Sequence, residues 1–331
     1  MKHGANIYKY AKKLGFKSKE IIDFSSNINL YNPKTNIKLT NSLLVKYPDA
    51  NYTKLKRTIA KNYTLKTSQI SLFNGATTAI VELIKSLKQK RIYLYAPLYG
   101  EYEKASKGKK IIKINRFKNL YKKPKPNSIV VFVNPSTPDG KYYNLNKLFG
   151  MWKEQNCTVI CDESFLEFES LKSLRNQIKT YKKLYIIQSF SKFYGCAGVR
   201  IGAIFSHKDN IKRLETPLWN LSAFDTKFLI SKLKNTNFKN KTKQLHKKQK
   251  QQLYKILESS NLFDKIYKSD TNFILTKSKK SKQIFHHLLK NKILTRTCDS
   301  FDFLGKNHLR FGVKNTNKHK KLKLILSQIF V

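Results

Sequence analysis

The sequence predicts an α/β protein with a large domain built on a mostly parallel sheet and a smaller α+β domain. Between residues 70 and 206, short and nearly continuous apolar runs alternate with helix-like segments. This is typical of parallel strands covered on both faces. After residue 214 the pattern changes to a long charged helical region at 221–262, followed by short strands and helices. We therefore expect an N-terminal arm at 1–30, a large domain at 31–215 and a small C-terminal domain at 216–331.

The composition supports a folded chain. Of the 331 residues 40% are hydrophobic and 12% aromatic, which argues against disorder. No apolar run approaches the ~20 residues of a membrane span, and the stretch MKHGANIYKYAKK lacks the apolar core of a signal peptide. We therefore expect a cytoplasmic protein without a membrane partner.

The formal net charge of +47 has two interpretations. It attracts anions such as nucleic acid or phosphorylated metabolites, or it reflects a bias towards Lys, Asn and Ile. The lysines are dispersed, whereas nucleic-acid binding usually needs a concentrated patch, so we do not expect nucleic acid as a partner. The four cysteines form no CxxC pair and the seven histidines no HExxH motif, so no metal site is expected.

The first elements are predicted from residues that end helices or form turns and from the periodicity of apolar residues. HGANIYKYAKKLG predicts a short helix ended by Gly15, and the Ser/Asn cluster of DFSSNINLYNP predicts extended or turn structure. In that segment the side chains of Asn27 and Asn29 either face a binding site or complete the hydrogen bonds of a turn. An amphipathic helix follows Tyr47-Pro48-Asp49, and ISLFNGATTAIVELIKSLK predicts a strand followed by a helix.

The later elements are read in the same way. The predicted strands are RIYLYA, KIIKI, SIVVFV, CTVIC, KLYIIQ, RIGAIF, TNFILT, ILTRT and HLRFGV. The predicted helices are YGEYEKASK, NLNKLFGMWKEQ, SKQIFHHLLKN and HKKLKLILSQIF. The charged stretch KNKTKQLHKKQKQQ is expected to be a solvated helix face.

SFSKFYGCAGVR, at residues 189–200, carries the clearest chemical signal. Lys192 follows an apolar run, Ser189 and Ser191 precede it, and Arg200 comes eight residues later. A lysine that forms a Schiff base with pyridoxal phosphate needs such a place at a sheet edge, with hydroxyls and a guanidinium for the phosphate. The alternative is a surface lysine in a lysine-rich chain.

Other candidates lie where ligands of such sheets gather, at the carboxyl ends of the strands. Asp162 follows a buried strand and is the candidate partner for the protonated ring nitrogen; the alternative is a turn cap. Tyr99 is the candidate aromatic against the ring and equally fits the core. The helix opening Gly75-Ala76-Thr77 offers free N–H groups for a phosphate, although it is equally an ordinary strand-to-helix turn.

Nine motifs in order extend these candidates to nearly the whole chain. They are HGAN at 3–6, DFSSNIN at 23–29, YPDANY at 47–52, NGAT at 74–77, PLYGEY at 97–102, DESFLEF at 162–168, SFSKFYGCAGVR, RTC at 296–298 and HLRFGV at 308–313. With them the chain resembles fold-type-I pyridoxal-phosphate enzymes of the histidinol-phosphate aminotransferase group, and within it the L-threonine O-3-phosphate decarboxylase branch. The resemblance implies an aspartate aminotransferase-like fold.

The resemblance also implies roles. Lys192 would be the Schiff-base lysine, Asp162 the pyridinium partner and Tyr99 the stacking ring. The implied phosphate ligands are Gly75, Ala76, Thr77, Ser189, Ser191, Arg200 and, from the other subunit of a homodimer with shared active sites, Tyr47. Arg310 would bind the substrate α-carboxylate and Arg296 the substrate phosphate. His3 would close over the substrate with Asn27 and Asn29 of the DFSSNIN turn.

Two positions depart from the group. Thr137 stands where an Asn usually contacts the phenolic oxygen of the cofactor, and Phe165 stands where a Tyr often gives a second contact. Phe165 fits the decarboxylases better than the aminotransferases.

The predicted function is decarboxylation of L-serine phosphate or L-threonine phosphate, giving ethanolamine phosphate or aminopropanol phosphate. One alternative is an aminotransferase acting on a phosphorylated amino compound. The non-enzyme alternative is a basic nucleic-acid-binding protein.

Overall fold

A computed structural model describes residue 4 and residues 6–33, 37–38 and 40–329. In these ranges the helices are α1 (Ile7–Leu14), α2 (Asn41–Val45), α3 (Thr53–Tyr63), α4 (Gly75–Ser86), α5 (Glu101–Ala105), α6 (Asn146–Glu154), α7 (Phe190–Phe193), α8 (Lys208–Lys212), α9 (Ala223–Lys234), α10 (Phe238–Ser259), α11 (Ser281–Lys290) and α12 (Thr316–Ser327). The strands are β1 (Ile22–Asp23), β2 (Ile70–Asn74), β3 (Arg91–Ala96), β4 (Lys110–Asn115), β5 (Ile129–Val133), β6 (Thr158–Asp162), β7 (Leu184–Ser189), β8 (Ile201–Ser206), β9 (Lys265–Ile266), β10 (Phe273–Lys277), β11 (Ile293–Leu294), β12 (Arg296–Thr297) and β13 (His308–Gly312).

The large sheet has seven strands in the order β2-β8-β7-β6-β5-β3-β4. The strands from β7 to β4 pair in parallel, while β8 runs antiparallel to both of its neighbours. The predicted α/β class with a mostly parallel sheet is confirmed.

Burial on both faces explains the continuous apolar runs. In β5, Val130 and Phe132 belong to one apolar cluster, while Ile129, Val131 and Val133 belong to another on the opposite face. Because successive side chains of a strand point to opposite faces, both sets must be apolar when both faces are covered.

The second sheet is antiparallel and has the order β12-β13-β10-β9. The N-terminal segment packs against this part of the chain: β1 pairs with β11, and Ala11, Ile21 and Phe24 share an apolar cluster with residues of α10, α11 and α12. The division into an arm and two domains at residues 30 and 215 stays a prediction.

The charged region at 221–262 differs from expectation. It forms two helices, α9 and α10, and the face predicted to be solvated buries Thr242, His246 and Gln249. The ring of His246 lies 5.3 Å from that of Phe168, and burial lowers the pKa of His246 to about 3. A neutral imidazole can therefore occupy this buried face despite its lysine-rich sequence.

None of the helices in the described ranges is long and apolar enough to cross a lipid bilayer. Across the same ranges, no cluster of three or more His, Cys, Asp or Glu side chains is placed to hold a metal ion.

Candidate active site

Lys192 lies in the short helix α7, directly after β7. Its carbonyl oxygen accepts a hydrogen bond of 2.9 Å from the Asn29 N–H, and its Nζ lies 5.5 Å from the ring centroid of Phe165. The side chain is partly exposed but closely surrounded by protein. Burial lowers its pKa; Asp162 opposes this, and Arg200 and Arg310 add to it. A larger fraction of the amine is therefore neutral and able to attack an aldehyde.

Asp162 ends β6 in the middle of the large sheet, in register with Val133 on one side and Ile187 on the other. Its carboxylate is buried and accepts hydrogen bonds of 2.9 Å from the Tyr102 hydroxyl and from the Ser164 N–H. Burial and the neighbouring carboxylate raise the pKa of Tyr102 well above 10.0, so this hydroxyl remains a donor. The carboxylate is held in one orientation, as a partner for a protonated ring nitrogen must be.

The opening of α4 is brought against β8 by a close backbone approach. Gly75, the first residue of α4, has a φ of 80°, and a Cβ there would lie 2.8 Å from Nη2 of Arg200. A Cβ on Gly202 of β8 would lie only 2.4 Å from the Ala76 nitrogen. Arg200 and the free N–H groups of the helix start therefore face the same space.

The two predicted serines complete this group. Ser189 lies opposite Gly202 in the β7–β8 register, and its Oγ is 2.9 Å from Oγ of Ser191. Both serines are buried. A helix N-terminus, a guanidinium and two hydroxyls form a favourable environment for a phosphate.

Tyr99 lies beside this cradle. Its hydroxyl is 3.3 Å from Oγ1 of Thr77, and the partly buried ring packs on the apolar cluster of α4. The structure thus brings together the predicted residues at 75–77, 99, 162, 189–192 and 200.

Arg310 of β13 is buried and has no ion pair with a carboxylate of the described residues. Its Nη1 donates to Thr137 Oγ1 at 3.1 Å and its Nη2 to the Ser25 carbonyl oxygen at 3.2 Å. Within the described ranges its buried Nε has no hydrogen-bond partner. Burial lowers the pKa of Arg310 to about 10. An arginine in this state favours an anionic ligand.

Arg296 of β12 lies directly opposite Arg310 in the antiparallel register. It is also buried, its Nη2 donates to Ser300 Oγ at 3.1 Å, and burial lowers its pKa. Like charges directly opposite each other in a sheet are destabilising. The charge of Asp299 opposes the lowering of the Arg296 pKa, whereas Arg296 itself lowers the pKa of Arg310.

The family follows from comparison with known proteins. The model of aminotransferase class I and II matches residues 19–329. The chain belongs to the class I and II aminotransferase family. Its cofactor is pyridoxal 5′-phosphate, and its fold is the aspartate aminotransferase-like fold.

Individual members of the family show how far the similarity extends. The chain is 32% identical, over an alignment of 359 positions, to the adenosylcobalamin biosynthesis bifunctional protein CobDQ of Leptospira interrogans, with 99% of this chain but 41% of that protein covered. It is 23% identical to the threonine-phosphate decarboxylase of Salmonella typhimurium, over 98% of this chain and 96% of the relative. The structure of the histidinol-phosphate aminotransferase of Clostridium acetobutylicum has a TM-score of 0.81 and 28% identity, with 92% of this chain and 98% of that chain covered.

The geometry of the site fits the cofactor of the class I and II aminotransferases. The glycine at 75 leaves a cradle beside Arg200 that a Cβ would fill, and the chain supplies an amine of lowered pKa and a buried carboxylate. Lys192 would bind the aldehyde, Asp162 the ring nitrogen, and the cradle the phosphate.

The remaining predicted residues have other surroundings. Asn29 is fully engaged: its Nδ2 donates to the Phe193 carbonyl oxygen at 2.6 Å and to Thr242 Oγ1 at 3.0 Å, and its Oδ1 accepts from the Tyr31 N–H at 2.9 Å. Asn27 is buried, and its Oδ1 has no partner in the described part of the chain. Both substrate-contact assignments stay predictions.

Tyr47 is 78% exposed, and its ring stacks on Trp219 at a centroid distance of 4.4 Å. Its contact with the cofactor of another subunit stays a prediction. The predicted role of His3 concerns a residue outside the described ranges.

Sequence reasoning missed three residues of the site. Tyr102 follows Tyr99 at helical spacing, and Gly202 interrupts a strand, where a glycine often marks a close backbone approach. Both signals are present in the sequence. Arg116 gives no local signal because its hydrogen-bond partners lie 19 to 27 residues away in the chain.

Proposed function

We propose that the chain catalyses the pyridoxal-phosphate-dependent decarboxylation of an O-phospho-L-amino acid, L-serine phosphate or L-threonine phosphate. The observation that carries this proposal is the buried pair of facing arginines, Arg296 and Arg310. A phospho-amino acid has two anionic groups, so Arg310 would bind the α-carboxylate and Arg296 the phosphate. The net charge of +47 would help to attract such a ligand.

Each residue of the site would have a defined task. Bound pyridoxal 5′-phosphate supplies an acceptor for the electron pair of the bond that breaks at the α-carbon. Asp162 would keep the proton at the ring nitrogen, and the two arginines would orient the substrate. Orientation selects the bond, because the bond held perpendicular to the ring plane is the one that breaks. The α-carboxylate would leave as carbon dioxide, and Lys192 Nζ would deliver a proton to the α-carbon.

Phe165 supports decarboxylation over transamination. Its ring is buried, lies 5.1 Å from that of Phe273 and has no hydroxyl to offer the phenolic oxygen. The similarity to the Salmonella decarboxylase is in line with this. The alternative, an aminotransferase acting on a phosphorylated amino compound, is favoured by the 28% identity to the Clostridium structure.

We also propose that the chain acts as a homodimer with shared active sites. Five large apolar side chains are exposed, those of Leu44, Val45, Tyr47, Leu218 and Trp219, and the rings of Tyr47 and Trp219 stack on each other. Large exposed apolar side chains that lie together often mark a protein interface. A second copy would cover these side chains and receive Tyr47 at the phosphate of its cofactor.

The decisive experiment incubates the purified enzyme with L-serine phosphate, L-threonine phosphate and L-histidinol phosphate in turn. We expect carbon dioxide and a phosphorylated amino alcohol in equal amounts from one or both of the first two. The two differ by one methyl group, which a pocket distinguishes by only about 1–3 kcal/mol. Formation of glutamate from 2-oxoglutarate without carbon dioxide would instead establish the aminotransferase.

A further inference from the structure

The position of Arg310 depends on Thr137. Nη1 of Arg310 donates to Thr137 Oγ1 at 3.1 Å, and Thr137 is itself buried. Thr137 belongs to the turn 136–141, in which the Gly140 N–H donates to the Ser136 carbonyl oxygen at 2.9 Å. Any shift of this turn would move the hydroxyl that holds the guanidinium of Arg310.

A buried ion pair holds the same turn. Arg116 follows β4, and its side chain is 1% exposed, whereas that of Asp139 is 4% exposed. Nη2 of Arg116 lies 2.6 Å from Asp139 Oδ1 and Nη1 lies 3.0 Å from Oδ2, so the contact is bidentate. Such fork-shaped pairs fix orientation as well as charge.

The other N–H groups of Arg116 are also satisfied. Nη2 donates to the Thr137 carbonyl oxygen at 3.3 Å, Nη1 to the Tyr143 hydroxyl at 3.0 Å and Nε to the Pro97 carbonyl oxygen at 3.2 Å. A guanidinium has five N–H donors, and here each has an acceptor. Arg116 therefore ties the backbone of Thr137 to the end of β3.

The segment that precedes β10 of the small sheet also holds the turn. The Asp270 N–H donates to the Gly140 carbonyl oxygen at 2.8 Å, and Asp270 Oδ2 accepts from the Tyr142 N–H at 2.8 Å. This segment leads into β10, in which Leu275 pairs with Arg310. The turn thus contacts Arg116 on one side and, on the other, the segment that leads into the strand beside Arg310.

We propose that Arg116 and Asp139 are positioning residues that set the carboxylate-binding geometry of Arg310 through Thr137. The inference rests on the proposed role of Arg310. Neither residue of the pair touches Arg310 directly, and both act on it through the position of Thr137. Loss of the pair should therefore weaken recognition of the carboxylate by Arg310 and leave recognition of the phosphate by Arg296 unchanged.

The test compares two ligands that differ only in the carboxylate, L-serine phosphate and ethanolamine phosphate. Dissociation constants for the holoenzyme are measured by rapid mixing, from the change in cofactor absorbance before turnover. The double variant Arg116→Met/Asp139→Asn removes both charges together, so that neither is left buried without its partner. We expect its dissociation constant for L-serine phosphate to rise about tenfold, as for a lost hydrogen bond to a charged group, and that for ethanolamine phosphate to stay within about twofold.

Further variants separate positioning from folding. Arg116→Lys keeps the charge but loses the fork, and it should show the same selective weakening, to a smaller extent. The control Arg175→Met removes another largely buried arginine, one that faces Glu163 and Glu167. It should not raise the dissociation constant of either ligand relative to that of the other. If the double variant melts like the wild type and binds both ligands normally, or if both ligands weaken equally, the positioning role is wrong.

Arg310→Met serves as the reference. If this variant loses L-serine phosphate selectively but the Arg116 variants do not, only the positioning role fails. If Arg310→Met binds both ligands like the wild type, the assigned role of Arg310, and with it the proposed function, fails.

Discussion

Replacing Gly202 by alanine tests whether the approach of β8 to α4 builds the phosphate cradle. The new Cβ would lie 2.4 Å from the Ala76 nitrogen and 2.6 Å from the Gly75 carbonyl carbon, whereas ordinary contact begins at 3.4 Å. The neighbours are backbone atoms, so the start of the helix must move by about 1 Å. Overpacking of this kind costs about 1–3 kcal/mol, and loss of one hydrogen bond to a charged phosphate costs about 1.5–3 kcal/mol.

We therefore expect Gly202→Ala to lower the free energy of unfolding in urea and to raise the dissociation constant for pyridoxal phosphate at least about tenfold. Absorbance titration of the cofactor-free protein measures the second quantity. The control is Gly150→Ala: Gly150 lies inside α6 with nothing within 4 Å of a new Cβ, so alanine should stabilise by about 0.5–1 kcal/mol and leave cofactor binding unchanged. Wild-type cofactor affinity in Gly202→Ala would refute the reasoning.

Three further predictions concern Lys192, Lys314 and Tyr47. Borohydride reduction followed by mass spectrometry should find the cofactor covalently attached in the wild type but not in Lys192→Ala, and an adduct in Lys192→Ala would contradict the assignment. The control is Lys232→Ala, which removes another lysine whose pKa is lowered by burial and should keep the adduct. Burial lowers the pKa of Lys314 from 10.5 to about 8, so between these pH values the unfolded state binds more protons. Lys314 should then contribute a gain in stability of up to about 3 kcal/mol across this window, measured by urea unfolding as the difference between the pH dependence of Lys320→Met, an exposed lysine of the same segment, and that of Lys314→Met. For shared sites, an equal mixture of Lys192→Ala and Tyr47→Ala subunits should recover about a quarter of wild-type activity, because half of the dimers are mixed and each has one intact site; no recovery after subunit exchange would argue against sharing.

The large sheet was predictable because its central strands are apolar on both faces. The runs that form β3, β5, β6 and β7 need no long-range information to be recognised as buried strands. The direction of β8 was not predictable, since an apolar run is the same in either orientation. The short helix α2 has no apolar periodicity over its five residues and was missed for that reason.

The polar face of α10 shows a second limit to predicting structure from sequence patterns. Lysines dominate its composition, yet His246 packs on Phe168 and Gln249 donates to Thr316 Oγ1 at 3.1 Å. Which face of a charged helix is buried depends on partners that lie far away in the chain.

The candidate site also has parts that local sequence patterns predict and parts that they do not. Lys192 and Asp162 follow strands whose order places them at one edge, so their proximity could be expected from the pattern alone. The link from Arg116 to Thr137 and Arg310 joins the end of β4 and the turn after β5 to the middle of β13, across 194 positions, and no local pattern encodes it.

The facing arginines also have a consequence for the protein without substrate. Arg296 and Arg310 are buried and in register, and each disfavours the charge of the other; a doubly anionic substrate bound as proposed would relieve this repulsion. A ligand that binds only the folded state stabilises it by an amount that grows with the logarithm of the ligand concentration above the dissociation constant. The edge formed by β12 and β13 should therefore exchange its amide hydrogens more slowly as substrate accumulates, so that the metabolite itself protects the enzyme from local unfolding.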